Sequence, residues 1–173
     1  MLRANHYDCA FESYLRTCRV PYVAVNETKR AVLPETSLKS LDFLVNAVPG
    51  QTWLVDVKGR IGPKLQGIGE NWVTADDLES LGEWQKIFGA SARALIVFAY
   101  WKPAPFPGTD STSLFFDQGR WYDFFGVWAD EYRVGVQVRS PSWGTVGLRR
   151  AAYSRLRFPL TNLLAPVTQE RSL

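Results

Sequence analysis

Histidine is almost missing from this chain: its 173 residues hold one, His6. A Ser-His-Asp triad therefore has a single residue to draw on, and His6 reads as a helix-start or packing residue. Cysteine is nearly as scarce. Cys9 and Cys18 stand nine positions apart, on nearly opposite sides of a helix, and lack metal-ligand spacing. Zinc chemistry is poorly supported, and two reduced thiols of a cytoplasmic protein are the plain reading. No run approaches the roughly 18–20 continuous apolar residues that a membrane helix needs. Met1 to Asp8 lacks the apolar run of a signal peptide. Internal repeats and low-complexity tracts are absent as well. These absences predict a soluble, cytoplasmic protein without a membrane partner.

What is present suits a globular domain. Hydrophobic residues make up 46% and charged residues 21%, enough to bury a sizeable core in a chain this long. Seven Trp and ten Phe are many, so some aromatics are expected in the core and some on a binding surface. The net charge of +3 does not by itself imply a nucleic-acid partner.

Asn5 to Thr17 is predicted as a helix, with Asn5 as its cap, Asp8 three residues on, and Tyr7, Phe11, Tyr14, Leu15 and Cys18 along one stripe. Tyr22 to Val25 reads as a short strand. Thr74-Ala75-Asp76-Asp77 is a capping box that opens a second helix; Leu78, Leu81, Trp84 or Gln85, and Phe88 line its apolar face, and Gly89 stops it. Ala92 to Tyr100 is a nearly continuous apolar run, expected as a buried strand. Lys102 to Gly108, with three prolines, reads as a stiff connector. A second hairpin is expected around Asp117-Gln118-Gly119-Arg120, a strand over Arg133–Arg139 and a short helix over Gly147–Phe158.

The stretch that organises the rest is a first hairpin. Ser40 to Val45 and Thr52 to Arg60 read as two strands around Pro49-Gly50. Strand side chains alternate, so Asp56 and Lys58 point one way and Trp53, Val55 and Val57 the other. A turn centred on Pro49 sets Asp42 opposite Asp56. Facing like charges are destabilising, and a divalent cation is the simplest compensation. The glycine-rich loop from Arg60 to Asn71 lacks the GxxxxGK[ST] pattern of a phosphate-cradling loop. Bland alternatives stand beside this reading: Asp56 and Lys58 as a solvated strand face, and Glu12 paired with Arg16 one turn on.

The order of helical Glu12, strand Asp42, then Asp56-Val57-Lys58, followed by an amphipathic helix and a buried strand, resembles the PD-(D/E)XK nuclease superfamily. It is most similar to the archaeal-type Holliday-junction resolvase branch. The resemblance covers about Asn5 to Tyr100, and its motif is specific only as a constellation. Leu41 stands where that family has proline. His6-Tyr7-Asp8 is also similar to the uncharacterised bacterial HYExO family, whose His-Tyr-Glu leaves Asp8 as the departure.

The resemblance implies an α/β fold: a restriction-endonuclease-like αβββαβ core with a mixed central sheet flanked by helices (residues 1–104). An aromatic, Arg-rich α+β extension (105–173) would pack on that core. It implies Mg²⁺ or Mn²⁺ held by Asp42, Asp56, the Val57 carbonyl and Glu12, with Lys58 orienting water or stabilising charge. Hard cations favour such oxygen donors. Gln85 is a further candidate for a lysine or phosphate contact. From Tyr132 to Gln169 there are six arginines and no Asp or Glu. Expected phosphate contacts are Lys29, Arg30, Lys39, Arg60, Lys64, Arg149, Arg150, Arg155 and Arg157. The expected activity is metal-dependent endonucleolytic hydrolysis of DNA, branched DNA included, by a homodimer if two strands are cut symmetrically. The rivals are a non-catalytic nucleic-acid or protein-binding module of the same fold, and an RNA-processing nuclease.

Overall fold

The computed structural model describes residues 5–25, 31–32, 37–63, 67–103 and 113–165. The chain opens with α1 (His6–Thr17), capped where the Asn5 side chain accepts from Tyr7 N–H. There follow β1 (Tyr22–Ala24), the short pair β2 (Ala31–Val32) and β3 (Ser37–Leu38), β4 (Phe43–Val48) and β5 (Gln51–Ile61). Next are β6 (Val73–Thr74), α2 (Ala75–Phe88) and β7 (Ala92–Lys102). The rest comprises β8 (Leu114–Asp117), β9 (Arg120–Trp128), α3 (Ala129–Gly135), β10 (Gln137–Ser140), β11 (Thr145–Gly147), α4 (Arg150–Leu156) and β12 (Phe158–Pro159).

The main sheet runs β1-β4-β5-β7-β9-β12, with β8 also paired to β9. It is mixed, as expected: β5 and β7 are parallel and the other pairs antiparallel. Parallel neighbours need a crossover, and α2 supplies it. β7 is the apolar run Ala92–Tyr100 and is buried for most of its length, which a strand covered on both faces requires. On one face α1 packs Phe11, Tyr14 and Leu15 against Val55, Val97 and Phe124. On the other face Leu78 and Leu81 of α2 join Ile96, Phe98, Tyr132 and Tyr153. The extension shares both layers. Its β9 continues the main sheet beside β7, and the Tyr14 hydroxyl donates to the carbonyl of Leu164.

The first hairpin turns on Pro49-Gly50, with Gly50 at φ +77°. A two-residue turn that pairs Val48 with Gln51 would, continued regularly, set Asp42 opposite Val57. A bulge in β4 between Val45 and Val48 shifts the register by one residue, so that Phe43 pairs with Val55 and Val45 with Trp53. The expected alignment of Asp42 with Asp56 follows by continuation, although the chain bends at Asp42 and β4 begins only at Phe43. The second hairpin is also present, with Gln118 and Gly119 at φ +45° and +80°. Such φ values suit a tight hairpin turn.

Two expectations fail. Arg133–Arg139 is not one strand: Arg133 and Val134 belong to α3, and only Gln137–Ser140 is extended. Asp130 and Glu131 in the first turn of α3 favour a helix start, and the alternating valines do not mark a buried face, since Val134 and Val138 are exposed. Phe88, expected on the apolar face of α2, is exposed too.

Candidate active site

β5 outruns β4. Among the described residues, its edge beyond Val55 has no strand partner on the β4 side, and a notch opens there. The Asp42 carboxylate fills part of it, with Oδ2 accepting from Val57 N–H at 2.6 Å. The N–H and C=O of one strand residue leave on the same edge, so the Val57 carbonyl faces the notch as well. α1 reaches the notch from one face because Gly59 lets it approach: a Cβ there would lie 2.1 Å from the Tyr7 ring. The N-terminus of α2 closes the notch from the other face. The result is a concavity of about 370 Å³, lined by Asp8, Lys39, Asp42, Asp56, Lys58 and Asp77 together with Asn5, Ser40 and Val57.

Lys58 sits at the centre of the charges. Its Nζ lies 2.9 Å from Asp56 Oδ2 and 3.1 Å from Asp77 Oδ2. Burial alone would lower the lysine pKa, but these two carboxylates outweigh it and hold the value above the ordinary one. Burial pushes the Asp56 carboxyl upward; Lys58 and a hydrogen bond with Asp42 oppose this. Asp77 is held below the usual carboxylate range against burial, first by Lys58, then by Lys39 and Thr74. Lys39 reaches Asp77 at 2.8 Å and Asp76 at 3.1 Å.

Four carboxylates against two ammoniums leave a formal charge of −2 on this concavity. The donors fit a hard divalent cation in kind and in charge. Asp56 Oδ2 is buried against the Lys58 ammonium at 2.9 Å, so an ion taking that oxygen would displace the lysine from it. Among the described residues no three carboxylate, histidine or cysteine side chains are already gathered as a cage; Lys58 occupies the space between Asp56 and Asp77.

Asp42, Asp56, Val57 and Lys58 thus meet as the sequence suggested. Glu12 does not line the concavity. It binds Arg16 Nη2 and the Tyr22 hydroxyl, each at 2.9 Å. Asp8, one turn earlier and 3% exposed, lines the concavity instead. The signal was in the His6-Tyr7-Asp8 motif. Asp77 was missed because its capping-box role, which it also fills, accounted for it already. Gln85 is not brought to the site: its Oε1 accepts from Ala94 N–H at 2.9 Å, tying α2 to β7. His6 is a packing residue, with Nδ1 2.9 Å from the Tyr122 hydroxyl.

The expected phosphate contacts scatter. Lys39 lines the concavity. Arg60 stacks 3.8 Å over Trp72 and donates to the Gly59 and Trp72 carbonyls. Arg157 lies 4.2 Å over Phe125. Both are largely engaged in packing. Arg149, Arg150 and Arg155 are exposed. Lys29, Arg30 and Lys64 lie outside the described residues.

Comparison with solved structures returns the same architecture. Hjc, a Holliday junction resolvase from the archaeal hyperthermophile Archaeoglobus fulgidus, aligns with a TM-score of 0.51 over 91% of this chain and 96% of its own, at 13% identity. The fold is nuclease-like. No family model and no curated protein matches the chain. The nuclease-like core carries its acidic notch beside the two strands that the hairpin register aligns. Among the described residues, no helix is long and apolar enough to cross a membrane.

Proposed function

We propose that this protein is a metal-dependent endonuclease that hydrolyses phosphodiester bonds in DNA, with branched DNA among its substrates. The convergence of Asp8, Asp42, Asp56 and Lys58 in one concavity of a resolvase-like fold carries this reading. Asp42, Asp56 and the Val57 carbonyl would hold Mg²⁺ or Mn²⁺, with Asp8 in the part first expected of Glu12. When bound, such an ion activates a water and offsets charge on the scissile phosphate. Lys58, held protonated by its acidic neighbours, would orient that water or steady developing negative charge as a fixed cation. Arg149, Arg150 and Arg155 are exposed for backbone contacts. Symmetric cutting of a junction needs two such sites, hence a two-fold homodimer. Two free cysteines suit a cytoplasmic protein.

One observation favours the rival reading of a non-catalytic binding module. The Lys58 ammonium already satisfies Asp56 and Asp77, so the acids are stable without an ion. The experiment is cleavage of four-way, flap, duplex and single-stranded DNA with Mg²⁺ or Mn²⁺. We expect cutting that Asp56→Ala and Asp8→Asn each reduce about 100-fold or more. Glu12→Gln should stay within about twofold, because an exposed ion pair contributes little. Salt-sensitive DNA binding with no cleavage of any substrate, or full activity in Asp56→Ala, establishes the module instead.

A further inference from the structure

The β10–β11 hairpin stands beside the acidic concavity and does not contribute to it. β11 pairs with β6, Thr145 opposite Thr74 and Val146 opposite Val73, and β6 runs directly into α2. The tip is pinned as well: Ala75 N–H, in the first turn of α2, donates to the Gly144 carbonyl at 2.8 Å. Two residues further along that turn is Asp77, the partner of Lys58. The tip is a tight turn, with Gly144 at φ +58° and its N–H directed at the Pro141 carbonyl. Trp143 sits on this turn with 80% of its surface exposed.

Isolated exposed apolar residues are ordinary. Trp143 differs in its mounting and its company. A large flat ring held out on an ordered turn loses little freedom when it stacks. The same hairpin carries Arg139, and a groove of about 310 Å³ along it is lined by Glu70, Trp72, Gln137, Arg139 and Arg149; Glu70 pairs with Arg139 at 2.8 Å, which leaves Arg149 to supply the groove's positive charge. Arg150 follows at the start of α4. The bias of this segment toward arginine matches a phosphate chain, and an exposed ring beside such a chain matches a base face. From the bond at Ala75, Trp143 lies within about 15 Å of Asp77, given 3.8 Å between successive Cα atoms and a 1.5 Å rise per helical residue.

We propose that Trp143 is a stacking platform for an unstacked DNA base, positioned by the hairpin a few nucleotides from the phosphate at the acidic site. In a continuous duplex every base is already stacked on its neighbours. At a branch point or on a single strand a base face is free, so the hairpin selects for branched or single-stranded DNA over paired DNA. This rests on the nuclease reading for its choice of ligand, and the test separates the two.

Binding is measured without divalent ions, using a four-way junction, a single strand and a nicked-free duplex of equal length. Trp143→Ala is expected to weaken junction and single-strand binding about tenfold or more, a typical loss for one base-aromatic stack. Duplex binding should change by less than about twofold. Trp143→Phe should restore most of the difference. A 2-aminopurine at the branch point should be dimmer in the wild-type complex than in the Trp143→Ala complex. Unchanged binding in Trp143→Ala, or equal loss for all three DNAs, overturns the proposal. If equal loss comes with conversion of a dimer to a monomer on sedimentation, the hairpin is a subunit contact. Absent cleavage with intact Trp143-dependent stacking refutes only the nuclease reading.

Discussion

Asp123 on β9 carries a buried carboxylate oxygen, Oδ1, with no hydrogen-bond partner among the described residues. Burial raises its pKa to about 6, against the pull of Lys102 and Arg157. The folded protein therefore holds this proton more tightly than the unfolded chain, whose Asp titrates near 3.9. Stability contributed by the protonated group is present below about 4 and is lost as pH rises through 6. Asp123→Asn should accordingly raise Tm at pH 7 and leave it nearly unchanged at pH 4, checked by thermal unfolding across that range. Asp77 is the reverse case. Its depressed value contributes stability above the ordinary carboxylate range that disappears as pH falls below it. At this scale the sequence was readable where backbone alternation alone decides: Asp56 and Lys58 two apart on a strand must share a face. It misled where a choice between neighbours on a helix depends on how closely that helix approaches the sheet. Asp8 and Glu12 are one turn apart; Asp8 lines the notch where the Tyr7 ring packs over the missing Cβ of Gly59, while Glu12 turns to Arg16 and Tyr22.

The N-terminal turn of α2 joins local structure to the site. Thr74 Oγ1 accepts from Asp77 N–H, Asp77 returns the bond to Thr74 N–H, and Lys39 Nζ also reaches Thr74 Oγ1 at 3.2 Å. Thr74→Ala should cost about 1 kcal/mol, lowering Tm by about 2–4 °C for a chain of this size. A denaturant titration would show the midpoint moving without a change in slope. The capping box could be read in advance because its chemistry is contained in four consecutive residues. The register of the first hairpin was harder. A turn centred on Pro49 gives the observed pairing, but for a reason that composition does not display: the real turn is two residues long, and a bulge near Asn46 restores the offset. The failed strand at Arg133–Arg139 shows the same limit. Alternating valines imitate a half-buried strand, yet Arg133 donates to the Leu78 carbonyl at 2.6 Å and α3 packs beside α2.

Across the whole molecule, the residues on either side of the proline segment share one packing. β9 pairs with β7 from Leu95–Trp128 to Lys102–Trp121, and Tyr122, Phe124, Tyr132 and Tyr153 are buried in the same two layers as α1 and α2. A chain stopped after residue 103 would expose an apolar edge strand, a known route to aggregation. It should give no cooperative transition, whereas the full chain should unfold in one step on heating, followed by circular dichroism. The Tyr14 bond to Leu164 gives this sharing an order in time. The helix that bears Asp8 leaves the ribosome first, and the carbonyl that latches it comes more than 140 residues later. During synthesis the acids of the notch are in place before this contact can form, so α1 gains its bond to Leu164 only at the end of translation.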